Sequence, residues 1–218
     1  MRSITTTVGP LTAQSANNIA LSQTPGAAGA LTLNGALVAN GVAVIGTSPS
    51  AAQRITITTT DSTHTFTITG SGPMGGTLTE TVTGNGTSAT SVLDYLTITS
   101  IVISGAATGA VTVGTSGVGA SPWVRFDDYA PGGVSIQCDI SGTVNYTIQQ
   151  TLDDPNDLVN PVVPSAITWL PTSDSAGVGA VAAIQSNYQF APVFARVLLN
   201  SGSGSVTAKF LQSGVVPY

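Results

Sequence analysis

An all-β chain, arranged as two sandwich-like or barrel-like β domains behind an extended N-terminal arm, is what the sequence predicts, on three observations. Residues 54–119 read RITITTTDSTHTFTITGSGPMGGTLTETVTGNGTSATSVLDYLTITSIVISGAATGAVTVGTSGVG, short alternating apolar and hydroxyl-bearing runs closed by glycine-containing turns. Thr, Val and Ile favour a pleated backbone because their branched Cβ restricts χ1, and period-2 alternation gathers one apolar row on one face. The 218 residues leave room for two β domains of roughly 100 residues, each with a core of its own. Between the two cadences lies GTSGVGAS, residues 114–121, the best linker in the chain. The expected division is an arm over 1–29, a Thr/Gly-rich domain over 30–118, and a sandwich domain over 119–218 carrying a proline-rich excursion at 152–190.

Residues 1–29 are rich in small and polar residues, with Pro10 and Pro25 as breakers and isolated apolar residues such as Ile4, Val8 and Ile19. Such a stretch cannot bury a face of its own, so it reads as an extended arm, as strands added to a partner, or as disorder. In 30–46, Asn34-Gly35 and Asn40-Gly41 are hairpin signals and predict a small meander. Asp61-Ser62 turns the chain between the rows Ile55/Ile57 and Phe66/Ile68. Ser91 is a good cap and predicts a short helical turn up to Tyr95. The run LTITSIVI changes phase at Ser100, which requires either a bulge or a strand buried on both faces. In the second half, Ser141-Gly142-Thr143 and residues 201–204 (SGSG) each read as a hairpin between alternating runs, and the two look like echoes that pair or face each other. The excursion between them holds Pro155, Pro161, Pro164 and Pro171 and one predicted strand at 166–170. Excursions of that length on a β scaffold usually carry contacts, here expected to be with protein.

Charged residues are only 7% of the chain and the net charge is −5, so most of the exterior must be hydroxyl, amide and backbone groups. Few charges leave sheet edges with few guards against pairing with other chains, which points to edges covered by neighbours in a homo-oligomer. Arg2, Arg54, Arg125, Arg196 and Lys209 are scattered, which argues against a nucleic-acid groove. Nowhere do about 18 apolar residues run together, and the N-terminus has no continuous apolar stretch of a secretory signal. The expectation is a chain made and kept in the cytosol unless it leaves inside an assembly, with no membrane partner. Cys138 is the only cysteine and lies in phase with apolar neighbours, so it reads as a buried, inert thiol.

Residues that could carry chemistry are few, and no enzyme activity and no cofactor are expected. Glu80 is the only glutamate, and alternation in Leu78-x-Glu80-x-Val82 turns it inward, where it must be paired or lie at an edge or interface. Arg54 and His64 are the partners the local sequence offers. Asp153, Asp154 and Asp157, with Asp127 and Asp128 in reach, could offer oxygen ligands to Ca²⁺, but EF-hand spacing, its glycine and its closing glutamate are missing, and an Asx-rich turn explains them equally. His64 has no second ligand at metal-site spacing. A serine-nucleophile elbow and a phosphate-binding loop are both absent, Gly202-Ser203-Gly204 reading as a hairpin turn. Trp123 and Trp169, with Tyr129, Tyr146, Tyr188 and Tyr218, could build a sugar platform, or serve as core and interface anchors. Glu80, Arg54, Trp123 and Trp169 are therefore the interface candidates.

The runs FTITGSG, GGTLTETVTG and LTITSIVISGAATGAVTVGTSG, followed by SPWVRFDDY and SGTVNYTIQQTLDDP, resemble small structural proteins of tailed bacteriophages, over residues 54–214. The resemblance implies β-sandwich or barrel domains that trimerise on a capsid as cement or decoration proteins, or form rings at the neck or tail. It carries over no functional residues, because such proteins work through surfaces. What it leads one to expect is a virion protein assembled in the host cytoplasm, its partners being itself, as a trimer, and the major capsid or other virion proteins. A head-to-tail or tail-fibre adaptor, and a glycan-binding module on the virion surface, are the alternatives.

Overall fold

The computed structural model describes residues 3–127 and 133–212, and within them the chain is all-β. Arg2, Asp128, Tyr129 and Tyr218, singled out above, lie outside the described residues. The strands in chain order are β1 (Ile4–Val8), β2 (Ala20–Gln23), β3 (Gly29–Ala30), β4 (Val38–Ala39), β5 (Val42–Val44), β6 (Ile55–Thr59), β7 (Thr65–Ser71), β8 (Thr77–Thr83), β9 (Ser88–Thr90) and β10 (Thr97–Ile103). They continue as β11 (Val111–Thr115), β12 (Gly119–Ala120), β13 (Val124–Arg125), β14 (Val134–Ser141), β15 (Val144–Thr151), β16 (Leu170–Pro171), β17 (Ile184–Tyr188), β18 (Phe194–Gly202) and β19 (Ser205–Gln212). They form two compact units, Leu11–Gly119 and a discontinuous one made of Met1–Pro10 with Ala120–Tyr218.

In the unit Leu11–Gly119, one sheet runs β4-β5-β10-β7-β8, with β3 also on β10, and a second runs β2-β11-β6-β9. Ile55, Ile57, Val111 and Val113 from one sheet and Phe66, Ile68, Ile98 and Ile101 from the other share a single buried cluster. This is the sandwich that the alternation requires: the apolar row of each strand turns inward and the hydroxyl row outward. The phase change in β10 is a bulge, its register to β7 shifting between Ile98 and Ser100. Asn40-Gly41 is a hairpin turn, with φ of 51° and 78° as two-residue turns of that hand demand. Asn34-Gly35 is not. The Asn34 side chain instead accepts the Leu21 N–H at 2.9 Å, and the Gly35 N–H donates to the Ile19 carbonyl, so this pair fastens the preceding segment. Residues 91–95 form no helical turn: the Tyr95 N–H, which would close one on the Ser91 carbonyl, donates to the Gln53 carbonyl at 2.8 Å.

The stretch read as an arm is divided between the units. Ile4–Val8 pairs along β19, and Val8 is fully buried. Residues 13–19 lie along β11, where the Ser15 N–H donates to the Thr115 carbonyl and the Ile19 N–H to that of Val113, both at 3.0 Å. Gly114 lets them approach, since a Cβ there would collide with the Ser15 carbonyl. A stretch too poor in apolar residues to make its own face can still complete one that other strands supply. For the same reason β11 occupies the start of the expected linker.

In the second unit, β1-β19-β14-β17 make one sheet; β18, β15 and β16 make the other, with β13 also on β18. The two expected hairpins are corners instead. β14 pairs with β19 from Ser141 to Val134, and β15 pairs with β18, so the chain changes sheet at Gly142-Thr143 and again at Ser203-Gly204. The two echoes do pair, the first strand of each with the second strand of the other. Glycines permit this because the corners touch: the Gly204 N–H donates to the Thr143 carbonyl at 2.9 Å, and a Cβ on Gly204 would collide with the carbonyl of Ser141. Phe126 stacks edge-on to Phe210 and Tyr188 at 5.5 and 6.4 Å within this core. In the excursion, 164–166 is a 3-10 turn begun by Pro164, and the strand is confined to Leu170–Pro171. Gly204→Ala should therefore cost about 2 kcal/mol or more by forcing the corners apart, measured as loss of the denaturant midpoint, whereas Gly76→Ala, in open space, should cost far less.

Candidate interaction surface

Glu80 projects inward from β8, an edge strand, and is buried. Its partners are neither Arg54 nor His64. Oε1 accepts the N–H of Val92 at 2.6 Å and Oε2 that of Leu93 at 3.0 Å, so the carboxylate closes the loop that follows β9. Arg54 faces Asp94 instead, Nε to Oδ1 at 3.8 Å. Tyr95 is buried beside both carboxylates; burial first, then Glu80 and Asp94, holds its phenol protonated well above the usual range. The carboxylate of Glu80 is thus bonded within its own unit. It guards the edge: a strand added beside β8 would extend the sheet next to an inward charge.

His64 belongs to Asp61. Asp61 has no accessible surface and accepts the N–H groups of Thr63, His64 and Thr108 at 2.8, 3.0 and 3.1 Å, and His64 Nδ1 lies 2.7 Å from its Oδ2. These bonds to backbone N–H groups, above all those of His64 and Thr63, hold its carboxyl far below the usual range. The pair fastens the corner between β6 and β7 to the loop before β11. The ring is packed over Gly105, where a Cβ would overlap it. Among the described residues the only hydroxyl bonded to the ring is that of Thr63, on the same nitrogen as Asp61, so no nucleophile, base and acid stand in sequence. Cys138 is fully buried, and burial pushes its thiol up to about 12.

The excursion 152–190 is where apolar side chains face outward. Leu158 is wholly exposed, and Leu152, Val159 and Phe190 are 77, 82 and 80% exposed. Leu152, Leu170, Phe190 and Pro192 line a hollow of about 470 Å³ with Thr168 and Asp153. The loop that displays them is held at several points. Asp153 accepts the Thr168 N–H at 2.7 Å; Asp154 accepts that of Asn156 at 2.8 Å and pairs with Arg125 at 2.9 Å; Asp157 accepts those of Val159 and Asn160 at 2.7 and 2.9 Å. Each of the three acidic residues offered as Ca²⁺ ligands thus bonds its own piece of backbone, as an Asx-rich turn does, and among the described residues no three His, Cys, Asp or Glu side chains converge on a metal-sized space.

Trp123 and Trp169, distant in sequence, meet edge to face at 5.2 Å. Trp123 also packs on Phe194 at 5.8 Å, and the buried Arg196 guanidinium lies 4.1 Å from the Trp169 ring centre while its Nε donates to Gln149 at 2.8 Å. The half-buried rings thus tie residue 169 of the excursion to Phe194 and Arg196 of β18. Sequence reasoning found the excursion and the two tryptophans but not Leu158, Val159 and Phe190, because exposure of an apolar residue has no periodic signature in an irregular loop.

Comparison with protein-family models, with curated proteins and with solved structures returned no match.

Glu80→Gln keeps one acceptor and turns an amide donor toward the other N–H; the expected loss is about 1–3 kcal/mol in chemical denaturation, with equal loss whether the chain is alone or assembled. Asp61 sets a pH dependence. Its folded-state pKa lies below its unfolded one, so its contribution is complete above about pH 4 and is lost as the pH falls through the folded value. Calorimetry from pH 7 to pH 2 should show the melting temperature of the unit holding Asp61 fall below about pH 4, and Asp61→Asn should lower it at neutral pH and flatten that decline.

Proposed function

We propose that the chain is a structural component of a tailed-phage particle, a cement or decoration protein that binds at symmetric sites on the shell as a trimer. The observation that carries this reading is the excursion 152–190: large apolar side chains displayed on a loop that carboxylates, a cation–π contact and two indoles hold in place. A loop held in its bound shape loses little entropy on docking. Burying Leu158, Val159 and Phe190 against a partner would contribute about 1.5–3 kcal/mol each. A closed oligomer engages several such loops at once, so weak single contacts sum to firm attachment. The scattered basic residues and the lack of an assembled catalytic or metal constellation among the described residues fit a protein that works through surfaces.

The test is antibody labelling of phage particles grown from the chain's source, with light scattering of the purified chain. Label over the shell and a trimeric mass are expected; label at the neck or tail, with a ring of higher order, supports the adaptor reading, and particles without the chain overturn both. Leu158→Asp with Phe190→Asp should leave the melting temperature unchanged and abolish attachment to shells, read by co-sedimentation.

A further inference from the structure

We infer that Asn40-Gly41, the turn between β4 and β5, is a site of self-modification, where the chain converts its own asparagine to aspartate and isoaspartate without an enzyme. The sequence holds three Asn-Gly steps, Asn34-Gly35, Asn40-Gly41 and Asn85-Gly86. Glycine after asparagine leaves the next backbone nitrogen unshielded, because no Cβ stands beside it. That nitrogen gives up its proton and bonds to the asparagine Cγ; the Cγ–Nδ2 bond breaks, and the NH2 group leaves with the proton as ammonia. Water then opens the five-membered imide. Cutting the new Cγ–N bond leaves aspartate in an ordinary backbone, and cutting the original peptide bond leaves isoaspartate.

Both reacting groups must be free, and hydrogen bonding sorts the three steps on that ground. At the first, Asn34 Oδ1 accepts the Leu21 N–H at 2.9 Å, and the N–H of the buried Gly35 donates to the Ile19 carbonyl at 3.0 Å. At the third, the Gly86 N–H donates to the Asp61 carbonyl at 3.1 Å, while Asn85 donates through Nδ2 to the Ser88 carbonyl at 2.7 Å and accepts the Thr87 N–H at 3.1 Å. Asn40-Gly41 differs at each point. Both residues are exposed, neither the Asn40 carboxamide nor the Gly41 N–H has a hydrogen-bond partner among the described residues, and a Cβ built on Gly41 would meet nothing within 4 Å. In a two-residue hairpin the closing bonds belong to the flanking pair, here Ala39 with Val42, and the groups between them are left to water. A bonded step reacts only in the fraction of molecules that opens, so Asn34 and Asn85 wait on local unfolding and Asn40 does not. Isoaspartate would add a methylene to a turn whose two residues hold φ of 51° and 78°. Either product sets a carboxylate beside β4, the outermost strand of its sheet, where a charge opposes pairing with another strand. The hairpin thus turns with age from a neutral edge into a guarded one.

Incubation of the whole chain in warm, mildly alkaline buffer, followed by tandem mass spectrometry of its peptides, tests this. Asn40 should exchange NH2 for OH, its peptide splitting into an aspartate and an isoaspartate form, at least about tenfold faster than Asn34 or Asn85. In guanidinium chloride, where no fold shields any of them, the three steps should react at similar rates. Asn40→Gly suits the positive φ of the turn and removes the carboxamide. Its circular dichroism should match the parent's, and its whole-chain mass should stay constant over the interval in which the parent's rises. A folded chain that exchanges first at Asn34 or Asn85, or that leaves Asn40 intact while the unfolded chain reacts, overturns the inference. So does a lead at Asn40 that persists undiminished in guanidinium chloride, since the fold would then have no part in it.

Discussion

A backbone N–H removed from water must find an acceptor, and in this chain the scarce carboxylates supply it where no strand can. Asp61 takes three N–H groups at one corner, Glu80 two at the loop after β9, Asp157 two within the excursion, and Asp153, Asp154 and Asp174 one each. The fold depends on these bonds because its strands are short and its sheets change hands often, leaving irregular segments with unpaired donors. A carboxylate that closes a turn is not placed to act as a base or to hold a cation.

Sheet changes are the second constraint. β14 to β15 and β18 to β19 cross between sheets through short glycine-bearing links, and the two crossings touch each other. Glycine is required at 204 by space, since a side chain there would meet the Ser141 carbonyl, and at 142 by a φ of 77°. The contact ties together two strand pairs far apart in sequence, Val134–Ser141 with Ser205–Gln212 and Val144–Thr151 with Phe194–Gly202, so the excursion between them begins and ends on one rigid base. Its apolar display is therefore an attribute of the sandwich beneath it.

With so few charges, solubility and edge protection fall to other devices. An inward carboxylate guards β8, hydroxyl rows coat the outer sheet face, and residues that looked like a free arm complete existing sheets. What stays open to a partner is the rigid apolar loop of the excursion.

The sequence by itself determined the all-β class, the inward and outward rows of the main strands, the phase change in β10, the buried thiol and the inward Glu80, because these follow from period-2 alternation and branched side chains, which are local. Only the tertiary structure decided which strands pair. The runs around residues 141–143 and 201–204 carry the signature of hairpins and become corners, since a tight turn is equally able to return a strand to its neighbour or to pass it to the facing sheet, and the choice lies in what the next strand finds there. The partners of Glu80, the meeting of Trp123 with Trp169 and the exposure of Leu158 were likewise settled by residues far away in the chain. Local pattern states which face is apolar; the long-range packing of those faces states which groups are left outside.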